Sequence, residues 1–180
     1  LRLAEQVLNE DHAGLEKDVL ALWEERHVFA RLCERNADGP TWSFIDGPIT
    51  ANKRMGVHHM WGRTLKDVFQ RYKALRGFQQ RYQNGYDCQG LWVEVGVERE
   101  LGLNSKREIE EYGLAEFARK CRDVVVRSSQ ELTKGSVRLG QWMDWGNDYF
   151  TFSDTNIEYI WRFLKTVQEN GWLVRGQRST

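Results

Sequence analysis

Residues 41–87 follow an order that leaves few folds open. A short apolar run at 41–45, a break at Gly47-Pro48, a polar stretch, an amphipathic run at 57–76 and a further candidate strand at 78–83 succeed one another. Met60, Trp61, Leu65, Val68, Phe69, Tyr72 and Leu75 recur at helical spacing, which predicts a helix carrying them on one side. Gly77 is placed to cap it. Strand, helix and strand in about forty residues make a βαβ unit, whose strands are expected to be parallel with a right-handed crossover. Ligands of open parallel sheets bind beyond the carboxyl ends of the strands. Residues 46–59 and 84–88, which follow the two predicted strands, are therefore expected to line one crevice, with Asp87 just past the end of the second strand.

Gly56, His58 and His59 stand where the polar stretch enters the helix. The first turn of a helix carries N–H groups without intrahelical acceptors and the positive end of the dipole, so imidazoles placed there form a natural anion site. Between residues 50 and 82 eight basic side chains (Lys53, Arg54, Arg63, Lys66, Arg71, Lys73, Arg76 and Arg81) stand against one acidic residue, Asp67. The formal net charge of the whole chain is zero, so overall charge names no partner. This local excess, at a helix start, is expected to meet nucleotide or RNA phosphate.

Elsewhere the sequence is mainly helical. Leu15, Val19, Trp23 and Val28 predict a long amphipathic helix over 13–35, ended by the turn residues of 36–40. A helix is expected at 90–101, and Leu114, Phe117, Cys121, Val124 and Val125 give helical spacing up to about 133. Ser153 is placed to cap a helix containing Ile157, Ile160, Trp161, Leu164 and Val167, closed by Gly171. Trp142, Trp145, Tyr149 and Phe150 fall in an irregular stretch and are expected to pack the helical section onto the sheet. An apolar run at 172–174 is expected to open a strand, because two parallel strands alone do not make a stable doubly wound sheet. The fold class is thus α/β: an N-terminal helical segment (1–40), then the first half of a Rossmann-like parallel-sheet nucleotide-binding domain (41–180) whose opening strands are followed by a largely helical section. Cys33, Cys88 and Cys121 are scattered, with no Cys-x-x-Cys spacing, which fits a reducing cytoplasm and offers no metal site. No apolar run is long enough to span a membrane.

Several segments in order carry a resemblance. Asp46-Gly47-Pro48 leads to Gly56-Val57-His58-His59, and Lys66-Asp67 follows seven and eight residues after His59. RYKALRG at 71–77, DCQGLWVE at 87–94 and LGQWMDWGNDYFTFSD at 139–154 continue the pattern. In this the chain resembles the class I aminoacyl-tRNA synthetases, and Cys88 favours their isoleucyl branch over the valyl and leucyl ones. The match departs from the family at three places. The first His and the Gly of the His-x-Gly-His signature have exchanged places, as Gly56 and His58. Gln89 stands for the usual His, and Trp92 for the usual Pro.

The resemblance implies ATP-dependent activation of isoleucine, with Mg²⁺ brought as the ATP complex, followed by transfer to tRNA in the cytoplasm. His59, and His58 with it, would be the catalytic imidazoles. Gly56, His58 and His59 would form the ATP site, while Lys66 would have a structural or surface role. Asp87 would receive the α-ammonium group of the amino acid, Gly47 and Pro48 would form the wall of its pocket, and Gln89 would be a neighbour. It also implies an editing domain inserted beyond residue 180 and a second phosphate-binding loop of Lys-Met-Ser-Lys-Ser type, absent from these residues. The 180 residues alone are therefore expected to be an inactive piece of a longer enzyme. The alternatives are a valyl or leucyl relative and a non-catalytic paralogue that binds nucleotide or tRNA.

Overall fold

A computed structural model describes residues 11–44 and 46–177. Expectations that fall on 1–10, on Ile45 or on 178–180 lie outside the described residues. The elements in chain order are α1 (His12–Glu25), α2 (Val28–Arg35), β1 (Ile49–Thr50), α3 (Val57–Leu75), β2 (Gly85–Asp87), α4 (Leu91–Leu101), α5 (Lys106–Tyr112), α6 (Leu114–Arg138), β3 (Tyr149–Phe150) and α7 (Asp154–Glu169). They fall into two compact units: 11–44, 54–83 and 130–145 form one, and 46–53, 84–129 and 146–177 the other.

In the first unit the single helix expected over 13–35 is two. His27 adopts a left-handed backbone with φ 50° between α1 and α2, a conformation costly for most side chains but visited by His. The break lets Trp23 of α1 and Phe29 of α2 both reach Trp142, at ring distances of 5.4 and 6.3 Å. Phe29 also meets Tyr82 edge-on. Trp142 therefore holds the N-terminal helices.

Helix α3 runs as expected from Val57 to Leu75, with Gly77 at φ 82° just beyond its end. The side that carries its apolar residues faces outward: Trp61, Leu65, Val68, Phe69, Tyr72 and Leu75 are exposed, and the buried residues are Arg63, Asp67, Gln70 and Ala74. The reason lies in what the buried side meets. Residues 139–143 form irregular chain whose backbone groups have no ladder and need polar partners. Asp67 accepts the Trp142 N–H at 3.1 Å, Arg71 donates to the Gly140 carbonyl and to Asp67, and Arg63 donates to the Gln141 side chain at 3.0 Å. Asn36 donates to the Ala74 carbonyl at 2.8 Å. Asp67→Ala should therefore lower the stability of the chain by about 2 kcal/mol, since it strips a partly buried guanidinium and a backbone N–H of their acceptor. Urea unfolding followed by tryptophan fluorescence measures this, and an unchanged midpoint would show the network to be dispensable.

The first expected strand is also corrected. Of residues 41–44 only Thr41 pairs, in an isolated parallel bridge to Gln79, while the regular strand forms past Pro48 at Ile49–Thr50. The second expected strand, 78–83, is interrupted by Tyr82, whose φ of 52° turns the chain out of extended geometry, and pairing resumes at Gly85. Burial, together with the nearby Cys33 and Asp67, pushes the Tyr82 phenol up to about 12.

In the second unit the three strands form one sheet in the order β1-β2-β3, parallel throughout. The strands that precede and follow α3 in sequence are parallel as expected, but they pair at Ile49 opposite Tyr86 and Thr50 opposite Asp87 rather than at 41–45 and 78–83. The third strand comes from Tyr149–Phe150, which the sequence reading left irregular, and Phe150 packs on Tyr86 at 5.3 Å. Residues 172–177, expected to open a strand, have no regular structure. Val93 and Val97 of α4 and Phe117 and Val125 of α6 join Ala51, Tyr86 and Cys88 in the core. Ser105 caps α5, and Ser153 caps α7, whose end meets Gly171 at φ 70°. No described helix is long and apolar enough to cross a membrane.

Candidate functional site

The residues singled out by the sequence gather in two clusters, one in each unit. In the second unit, the pairing of Thr50 with Asp87 brings their side chains together: the Thr50 hydroxyl donates to Asp87 Oδ2 at 2.8 Å. The Ala51 N–H donates to the Asp87 carbonyl at 2.8 Å and carries the pairing one step further. Asp87 is the last residue of β2 rather than the first beyond it, and Asp46, Gly47 and Pro48 come before β1 rather than after a strand.

Asp46 is buried, at 3% exposure, and its carbonyl accepts the Tyr149 hydroxyl at 3.2 Å. Burial, and then the carboxylates of Asp46 and Asp87, push the Tyr149 phenol up. A methyl group built on Gly47 would meet nothing within 4 Å, so the turn presents an open face. Such an array of carboxylates and hydroxyls is suited to an ammonium group, whose charge-assisted hydrogen bonds are the strong ones.

Sequence reading missed Thr50 and Tyr149 here. The signal for Tyr149 was the β-forming run of 149–152, hidden by grouping it with the neighbouring tryptophans. Gln89 is exposed and lines a hollow of about 340 Å³ with Cys88, Val93, Phe117, Cys121 and Phe152. Cys88 is buried, its N–H donates to the Thr151 hydroxyl at 2.9 Å, and burial pushes its thiol up, as it does those of Cys33 and Cys121. These three are free cysteines.

In the first unit, Gly56 is the N-cap of α3, with His58 and His59 as its second and third helical residues. The His59 ring folds back so that Nδ1 accepts the Gly56 N–H at 3.1 Å, the half of a capping box that Glu or Gln supplies elsewhere. A neutral imidazole that accepts at Nδ1 carries its proton on Nε2 and is a donor there. His58 is exposed and its ring centroid lies 3.8 Å from that of His59. A side chain at position 56 would start 3.0 Å from His58 Cε1 and 3.1 Å from its Nδ1. The glycine at 56 and the histidine at 58 are thus sterically matched.

The expected basic phosphate surface is only partly taken up by packing. Arg63 is fully buried, Arg71 lies 4.0 Å over Trp142, Lys73 lies 4.6 Å over Phe78, and Arg76 bonds the Tyr72 hydroxyl at 3.2 Å. Lys53, Arg54, Arg76 and Arg81 remain exposed. Among the described residues no group of three or more His, Cys, Asp or Glu is placed to hold a metal ion.

Comparison with known proteins agrees with this architecture. A family model described as tRNA synthetases class I (I, L, M and V) matches residues 18–180. The isoleucine–tRNA ligase of Thermobifida fusca is 42% identical over 168 residues, which is 93% of this chain and 16% of that protein. The isoleucine–tRNA ligases of Streptomyces avermitilis and Dehalococcoides mccartyi are 41% and 40% identical over 93% and 92% of the chain. The chain spans about one sixth of the length of these relatives. The crystal structure of the ternary complex of Agrobacterium radiobacter K84 agnB2 LeuRS-tRNA-LeuAMS superposes with a TM-score of 0.62 at 17% identity, covering 91% of this chain and 18% of that one. It shares the fold. With a family match over nearly its whole length and relatives about 40% identical, the chain belongs to the class I tRNA synthetases.

Proposed function

We propose that this chain contributes the first part of the catalytic domain of an isoleucine–tRNA ligase, which activates isoleucine with ATP and transfers it to tRNA. The observation that carries this reading is the 42% identity to an isoleucine–tRNA ligase across 93% of the chain. The geometry of the two clusters supports it. In the activating step the isoleucine carboxylate oxygen forms a bond to the α-phosphorus of ATP. The bond from that phosphorus to the bridging oxygen breaks, and pyrophosphate leaves with its electron pair. Little covalent help is required of the protein, so catalysis rests on holding both reactants in line and stabilising charge on the phosphate oxygens.

Asp87, oriented by Thr50, receives the α-ammonium group. Gly47 and Pro48 form the wall against the side chain, with Gln89 a neighbour. His59 donates from Nε2 to the phosphates at the positive end of α3, with Gly56 and His58 completing the ATP site. Mg²⁺ enters as the ATP complex and adds charge neutralisation, and the reaction belongs to the cytoplasm, where tRNA is charged.

Charging of tRNA by the protein carrying this chain, with labelled isoleucine, valine and leucine in parallel, tests the reading. Isoleucine is expected to be esterified to its tRNA at the highest kcat/KM. Preference for valine or leucine would move the chain to a sister branch. No charging with any of the three would favour a non-catalytic paralogue, the reading that the exchanged Gly56 and His58 motivate.

A further inference from the structure

The amino-acid cluster contains one contact that the proposed roles leave unused. Tyr149 stands opposite Gly85 in the β2–β3 register, and its ring lies across that glycine. A Cβ on residue 85 would fall 2.1 Å from Tyr149 Cε1 and Cζ and 2.6 Å from Cδ1. Only glycine at 85 admits the ring, because a contact of that length with a ring held by its own strand cannot be relieved by rotating a flexible tip. The ring is thereby directed along the sheet towards the stretch that precedes β1, where its hydroxyl meets the Asp46 carbonyl at 3.2 Å. The Asp46 carbonyl belongs to the turn that continues into Gly47 and Pro48, and this turn has no strand pairing of its own. At its β1 end the turn is held by the β1–β2 pairing, and towards Asp46 the Tyr149 hydroxyl adds a point contact.

We propose that Tyr149 is a positioning residue of the amino-acid site, seated on Gly85 and pinning the Asp46-Gly47-Pro48 turn at the edge where β2 presents Asp87. Its phenol is raised by burial and by the carboxylates of Asp46 and Asp87, so it keeps its proton and remains the donor to Asp46. The side-chain wall and the ammonium acceptor are then fixed to one another by Tyr149 in addition to the β1–β2 pairing. The inference rests on the assignment of Asp87 and Gly47 to the amino acid for its catalytic consequence, but not for its geometry.

Tyr149→Phe keeps the ring on Gly85 and removes only the hydroxyl. In the protein carrying this chain it should raise the KM for isoleucine about 3–10-fold in ATP–pyrophosphate exchange, the effect of one lost neutral hydrogen bond, with the KM for ATP changed less than twofold. Gly85→Ala should raise the isoleucine KM in the same direction by displacing the ring. An unchanged isoleucine KM in Tyr149→Phe, or equal rises for isoleucine and ATP, overturns the proposal while leaving the enzyme assignment standing. Were the unmodified protein to show no exchange, the assignment would fail and amide hydrogen exchange would decide on the geometry. In the protein carrying this chain, the amides of residues 46–51 should exchange faster in Tyr149→Phe, and unaltered rates would refute the pinning.

Discussion

His59→Ala in the protein carrying this chain is expected to lower the rate of isoleucine-dependent ATP–pyrophosphate exchange about 10²–10³-fold, the scale for losing one preorganised charge-stabilising donor. The preorganisation is visible in the helix start. The Gly56 N–H occupies His59 Nδ1, so the proton sits on Nε2 and no tautomer has to be selected when substrate arrives. His58→Ala should cost less than about tenfold, because His58 is exposed and its ring only lies beside that of His59. Restoring the family order one residue at a time should also be uneven. Gly56→His alone places a Cβ against the His58 ring and should impair exchange more than the double change Gly56→His with His58→Gly. Equal and negligible losses for His59→Ala and His58→Ala would assign the helix start to nucleotide binding without chemistry.

Asp87→Ala should weaken isoleucine binding by about 2–5 kcal/mol, since it removes the charged partner of the ammonium group and leaves the cation without a counter-charge. ATP binding should change little. The two affinities can be separated by equilibrium titration with isoleucine and with ATP, each in the absence of the other. Asp87→Asn, which keeps a hydrogen-bond acceptor for Thr50 but not the charge, should lose most of the same affinity, and this separates charge from local structure. An isoleucine affinity unaltered by either substitution would remove Asp87 from the site.

Helices were legible where their ends carry punctuation. Ser153, Gly77 and Gly171 mark boundaries that local backbone chemistry dictates, and those boundaries stand where expected. Strands were less legible because they are two or three residues long, too short for a period of two to register against neighbouring turns. The run at 41–45 has the composition of a strand, but pairing depends on which backbone groups find partners, and these lie beyond Pro48. The inverted face of α3 was hidden for a related reason. Periodicity finds the apolar side of a helix, and the buried side here serves an irregular chain that needs Arg63, Asp67 and Gln70. Among candidate site residues, Asp87 and His59 stand out through their motif context. Tyr149 does not, because its place depends on a cross-strand register and on a glycine 64 residues away.

The most direct test of the account is amino-acid-dependent ATP–pyrophosphate exchange by the unmodified protein carrying this chain, with all twenty amino acids compared at equal concentration. The account predicts exchange that is highest with isoleucine and that falls with both His59→Ala and Asp87→Ala. Exchange with no amino acid, or isoleucine-dependent exchange that survives both substitutions, would contradict it.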